Sequence, residues 1–90
     1  MTLAELKRRL TPGTKLRCIH NARGPCNDER EVTKTSSSHV RLRGKYGDKV
    51  GEAYLNWPKA SQLSATERGF RIDYAAGPQS DSKRLEYEWA

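Results

Sequence analysis

Ninety residues, 34% of them hydrophobic and 31% charged, bound the chain to one domain with a modest core. No apolar run approaches the roughly 20 residues of a bilayer-spanning helix, and no basic start leads into an apolar stretch as in a signal peptide, so a cytoplasmic protein with no membrane partner is expected. The net charge of +6 is uneven: residues 1–50 hold 12 Lys+Arg against 5 Asp+Glu, whereas residues 51–90 hold 5 against 6. A basic first half suggests a polyanionic partner, although solubility alone accounts for a charge of this size.

Thr2-Leu3-Ala4-Glu5 reads as a capping box, with Thr2 as N-cap and Glu5 reaching back. Leu3, Leu6 and Leu10 then recur on one helical stripe. Lys7, Arg8 and Arg9 lie off the stripe, where cations oppose the negative end of the helix dipole. Pro12-Gly13 ends this helix, assigned to residues 1–11. Thr14 to Asn21 reads as a strand with Leu16, Cys18 and His20 on one face and Lys15, Arg17 and Ile19 on the other. Ala22 to Asp28 reads as a loop, Glu29 to Thr35 as a second strand with Val32 inward, and Ser36-Ser37-Ser38 as a polar turn. His39 to Arg43 is a third strand, with Val40 and Leu42 inward and His39, Arg41 and Arg43 outward. Gly44 to Gly51 carries three glycines and reads as an exposed hairpin loop. Ala53, Leu55 and Trp57 alternate with Tyr54 and Asn56 before Pro58 stops the strand, which puts the Trp57 ring at the mouth of the core. Lys59 to Leu63 suits one short helical turn. Phe70 to Tyr74 is a strand, residues 75–83 a polar loop, and Leu85, Tyr87 and Trp89 alternate with charged residues in a final strand over 84–89. Short strands at close spacing with turn signals between them predict a mainly β fold. The expected architecture is a small SH3-like barrel of five to six short antiparallel strands over 14–74 and 84–89, with a short N-terminal α-helix, forming one domain over 1–90.

Cys18, His20, Cys26 and His39 are the one set with metal-ligand chemistry, two thiols and two imidazoles being able to close a tetrahedral zinc site. Their spacing matches no common zinc motif and contains no CxxC pair, so no metal and no cofactor is expected. A Cys18–Cys26 disulfide is not expected in a reducing cytosol either. No Gly-x-Ser-x-Gly setting, Gly-rich phosphate loop or carboxylate pair is present. A chain this short also leaves little volume for a closed pocket. The expectation is a non-enzyme without a small-molecule substrate.

The basic residues carry the main functional signal. If the strands bearing them are neighbours, Lys15, Arg17, Arg41, Arg43, Lys45 and Lys49 form a strip with Tyr46 beside it, able to follow a phosphate backbone while a tyrosine stacks on a base. The competing reading is a solvated strand face whose Lys and Arg blunt an open edge. A second class of function is protein binding through exposed aromatics, with Tyr46, Tyr54 and Tyr74 as candidates.

Pro12-Gly13-Thr14, Cys18-Ile19-His20-Asn21 and Trp57-Pro58-Lys59-Ala60 followed by Gly69-Phe70 resemble the small accessory proteins of actinobacterial phages and prophages, over roughly residues 11–74. The resemblance implies an SH3-like barrel, a mobile-element origin and residence in the host cytoplasm. It implies a small binder of host factors, including anti-CRISPR and other anti-defence proteins, and brings no catalytic residues; the basic strip, for its part, points to nucleic acid or a nucleoprotein complex.

Overall fold

The computed structural model describes residues 1–21, 24–46, 48–74 and 84–90, with the Tyr46 side chain outside the description. Helix α1 spans Leu3–Arg9. Thr2 caps it: the Glu5 N–H donates to Thr2 Oγ1 (3.1 Å), and the Thr2 hydroxyl donates to Glu5 Oε1 (3.2 Å). The Glu5 side chain thus meets the cap hydroxyl, a local variant of the reciprocal cap expected from the sequence. Seven residues do not hold a helix alone; Leu6 and Leu10 are fully buried in the core, and that burial holds α1 in place. At its end, the Thr14 hydroxyl donates to Arg9 O (2.9 Å), and Gly13 turns the chain with φ of 95°. The Gly13 N–H then donates to Val32 O (2.8 Å), tying the turn to the sheet.

Seven antiparallel strands follow among the described residues: β1 (Lys15–Asn21), β2 (Gly24–Thr35), β3 (His39–Tyr46), β4 (Lys49–Asn56), β5 (Leu63–Ala65), β6 (Gly69–Asp73) and β7 (Arg84–Trp89). One turn of 3-10 helix, Ala60–Gln62, separates β4 from β5, where the sequence predicts a helical turn. The sheet order is β4-β3-β2-β1-β7-β6-β5, so β4 and β5 are its edges. The mainly β class and the short N-terminal helix hold. The strand number is seven, not five or six, because β5 is added, and β2, β3 and β4 are longer than expected. β2 begins at Gly24, inside the stretch read as a loop, because Asn21 and His20 pair with Gly24 and Pro25. β3 and β4 run on to Tyr46 and Lys49, so the stretch Gly44–Gly51 is largely ladder. β5 has only three residues and no apolar alternation by which a sequence reveals it. The expected loop at 75–83 lies outside the described residues.

Antiparallel partners project to the same side of a sheet, so the register defines two faces. Leu16, Val32, Leu42, Leu55, Phe70, Ile72 and Tyr87 fill the inner face under α1. Phe70 is the hub of the aromatic part, its ring centroid 5.6 Å from Tyr87 and 5.2 Å from Trp89. Arg9 lies 3.7 Å over the Trp89 ring, a cation–π contact from helix to sheet. Trp57 is half-buried at the core margin; its indole N–H donates to Ser36 O (2.8 Å) and its backbone N–H to Ser38 O (3.1 Å), anchoring the β2–β3 turn. Among the described residues, one charged side chain is buried. Arg30 is buried, its Nη1 donating to Glu29 O (3.2 Å) and its Nη2 3.6 Å from Asp28 Oδ2. It fits because its partner across the ladder is Gly44, where a Cβ would lie 2.6 Å from both Arg30 Cδ and Glu29 O.

Gly69 has the same role with less room, since a Cβ there would overlap the Tyr87 carbonyl oxygen and lie 2.6 Å from Glu88 Cα. Those are backbone atoms of β7 and cannot swing aside. Gly69→Ala is expected to destabilise the fold by about 1–3 kcal/mol or more, read as a lower urea midpoint. A change below about 0.5 kcal/mol, typical of an open surface site, contradicts this close packing of β6 on β7.

Candidate nucleic-acid interface

The solvent side of the sheet carries the residues singled out for polyanion binding, and the register decides which of them meet. Lys15 lies opposite Glu31, Glu31 opposite Arg43, and Arg43 opposite Glu52, an alternation of charge across four strands. Arg17 lies between Glu29 and Glu88, and its Nη1 donates to Asn27 Oδ1 (2.9 Å). Strand β2, with Glu29 and Glu31, therefore separates Lys15 and Arg17 from the arginines of β3. A depression of about 230 Å³ lined by Lys15, Glu29, Arg30, Glu31 and Arg43 marks this mixed-charge region. The structure brings Arg41, Arg43 and Lys45 onto the outer face of one hairpin, sets Lys49 on the opposite face of that hairpin, and leaves Lys15 and Arg17 outside it. The Tyr46 side chain, expected beside the strip, lies outside the described residues.

A β-bulge supplies a cation that the sequence reading did not select. Val32 faces Leu42, but Lys34 faces Arg41 and Thr35 faces Val40, so Thr33 is an extra residue in β2. An unbroken ladder would set Lys34 opposite the buried Val40. The bulge rotates Lys34 to the solvent side, into a row Lys34–Arg41–Tyr54 that crosses β2, β3 and β4.

Tyr54 is the most conspicuous member of that row. Its side chain stands 61% exposed on edge strand β4, yet it is held. Arg41 Nη2 donates to the phenol oxygen (3.0 Å), and the guanidinium carbon lies 5.2 Å from the ring centroid. The His39 ring meets Tyr54 edge-on at 4.8 Å. His39 Nδ1 lies 2.9 Å from Ser38 Oγ, and its backbone N–H donates to Ser36 Oγ (3.2 Å), in the turn that Trp57 anchors. Arg41 Nε lies 3.7 Å from Glu52 Oε2, beyond hydrogen-bond length, and Glu52 also accepts from the Thr33 hydroxyl (3.1 Å). With both side chains partly exposed, that ion pair contributes little stability and mainly orients Arg41.

The thiol and imidazole set is corrected. Cys18 and Cys26 form a disulfide with a Cα separation of 5.8 Å. Both lie on the inner face, and both thiols are consumed. A second irregularity, between Cys18 and His20, carries His20 opposite Glu86, on the face of Arg17 and Glu88 and away from Cys18. His39 stands two strands away from β1, at the start of β3. Among the described residues no group of three or more His, Cys, Asp or Glu side chains converges as a metal site. Strict alternation put His20 beside Cys18; the bulge breaks that alternation, and no residue pattern announced it.

Tyr74, a candidate for protein binding, faces inward. Its hydroxyl donates to Asn56 O (2.5 Å), linking the end of β6 to the end of β4, and its ring packs on the core. Burial pushes its pKa up from 10.0 to about 12. The described residues contain no helix long and apolar enough to cross a membrane. No protein-family model, curated protein or solved structure matches the chain.

Two outcomes follow from these contacts. The closed loop spans a sequence separation of 8, so reduction of Cys18–Cys26 is expected to lower unfolding free energy by about 2–3 kcal/mol on the chain-entropy model; equal melting temperatures with and without dithiothreitol, once thiol titration shows full reduction, contradict this. For Tyr74, folding favours the protonated phenol, so its contribution is whole below pH 10.0 and is lost as pH rises through about 12. Tyr74→Phe is expected to be less stable than the parent at neutral pH, with the gap narrowing over that alkaline window. A constant gap contradicts the buried phenol.

Proposed function

We propose that this protein works by binding rather than by catalysis, and that it binds nucleic acid or a nucleoprotein complex through the solvent face of β2, β3 and β4. The observation that carries the reading is the row Lys34–Arg41–Tyr54, in which two cations on adjacent strands lead to an exposed aromatic ring pinned by an arginine and a histidine. Arg43 and Lys45 extend the positive surface toward the tip of the same hairpin. Backbone contacts of this kind carry affinity without reading sequence. The resemblance to phage accessory proteins supports the same view of a small binder from a mobile element. We also propose the SH3-like barrel as the finer fold: residues from β4 at one edge to β6 beside the other share one core, and the Tyr74–Asn56 bond links the ends of those two strands. Cytoplasmic residence, the compartment suggested by the sequence, then requires that burial of Cys18 shield the disulfide from reduction.

A second reading, an inhibitor or adaptor docking on a host protein such as a defence complex, is favoured by one feature. Val50 and Tyr54 stand 60% and 61% exposed on the same face of edge strand β4, which has no partner on its outer side among the described residues. Neither reading involves a membrane or a small-molecule substrate.

The test is a fluorescence-anisotropy titration with labelled DNA and RNA. With about four phosphate contacts, affinity is expected to fall about 50-fold for a single strand, or about 150-fold for duplex DNA, as salt rises from about 50 to about 200 mM. Lys34→Ala with Arg41→Ala is expected to weaken binding far more than Lys15→Ala with Arg17→Ala, though both pairs remove the same charge. Equal losses, or no binding at low salt, contradict the proposed face.

A further inference from the structure

Resting on that reading, we infer that the nucleic acid is single-stranded and that one of its bases stacks on Tyr54. The ring belongs to the outer face of an antiparallel sheet rather than to a helix or ribbon shaped for a groove. A duplex keeps its bases stacked on one another and presents a phosphate wall, against which an outstanding tyrosine ring finds no base face. A single strand offers unstacked bases and a flexible backbone together.

The surroundings of Tyr54 match both parts of such a strand. Arg41 and Lys34 occupy the adjacent strands in the same row, about 5 Å and about 10 Å away at the backbone. A base on the ring therefore leaves its phosphates within reach of both cations. The ring is oriented before any ligand arrives, because the Arg41 hydrogen bond fixes its hydroxyl end and His39 fixes its edge. A stacking partner thus meets a side chain with little freedom left to lose. The tether continues through the Ser36–Ser38 turn to Trp57 and the core margin. Nothing in this arrangement reads the edge of a base, so the site is indifferent to sequence and accepts a base of any kind that offers a planar face.

The experiment compares an oligothymidylate strand with an abasic strand of the same length and charge. The parent protein is expected to prefer oligothymidylate. Tyr54→Ala is expected to weaken that strand by about 5- to 150-fold, the range for one lost base–aromatic stack, and to leave the abasic strand unchanged. Tyr54→Phe keeps the ring and loses only the hydroxyl that Arg41 holds, and is expected to retain most of the preference; circular dichroism of both variants checks that the sheet persists. Equal binding of the two strands by the parent overturns the stacking site while leaving the basic face a polyanion binder. Tighter binding to duplex than to single strand likewise overturns it. Failure of both strands and of duplex to bind removes the underlying reading as well and assigns the ring to a protein interface.

Discussion

The antiparallel seam between β1 and β7 is the contact on which the rest of the structure depends. β1 through β4 form one run of consecutive hairpins, and β5 and β6 form another. β7 pairs with β6, and among the described residues the pairing of β1 with β7, which sets Leu16, Arg17 and Cys18 against Trp89, Glu88 and Tyr87, joins the two runs into one sheet. That seam aligns Leu16, Cys18 and Tyr87 on the inner face, next to Phe70 and beneath the leucines of α1. Remove it and neither half has enough apolar surface to hold a core. Gly69 admits the β7 backbone at close range, Arg9 covers Trp89 from the helix, and the disulfide clips β1 to β2 beside the seam.

With the core fixed, the solvent face follows from register, and two bulges decide its chemistry. One, at Thr33, turns Lys34 outward beside Arg41. The other, between Cys18 and His20, sends His20 to the side of Glu86. Elsewhere the outer face alternates acid and base, as in Lys15–Glu31–Arg43–Glu52. Such a ladder satisfies charge locally and presents little net field. Basic character therefore concentrates where the alternation lapses, around Lys34, Arg41 and Tyr54, and toward the hairpin tip at Lys45. The overall charge of the chain does not reveal this distribution.

Much of the fold was legible in the sequence because it rests on local period. The leucine stripe gives α1, the alternation of Leu85, Tyr87 and Trp89 gives β7 with its observed bounds, and Trp57-Pro58 marks the end of β4. What escaped was non-local. The extra residues of the bulges have no signature of their own, since Thr33 and Ile19 are ordinary strand residues. The expected reducing compartment argues against the disulfide, and the placing of Cys26 in a loop hides that β2 begins at Gly24 and brings it inward against Cys18. Of the interface, Arg41 and Tyr54 were readable as outward residues on neighbouring strands. Lys34 was not, because its side depends on the bulge. The separation of Lys15 and Arg17 from β3 was present in the outward Glu29 and Glu31 of β2, but only strand order shows that β2 lies between.

We propose that nucleic acid meets this protein on the outer face of β2, β3 and β4, at the row ending in Tyr54. The most direct test is a two-dimensional amide NMR titration of the uniformly labelled protein with oligothymidylate at low salt. The account predicts that shifts gather at Lys34, His39, Arg41 and Tyr54, weaken toward Lys15 and Arg17, and leave α1 and β6 unmoved. Shifts centred on α1 or β6, or none at saturating strand, contradict it.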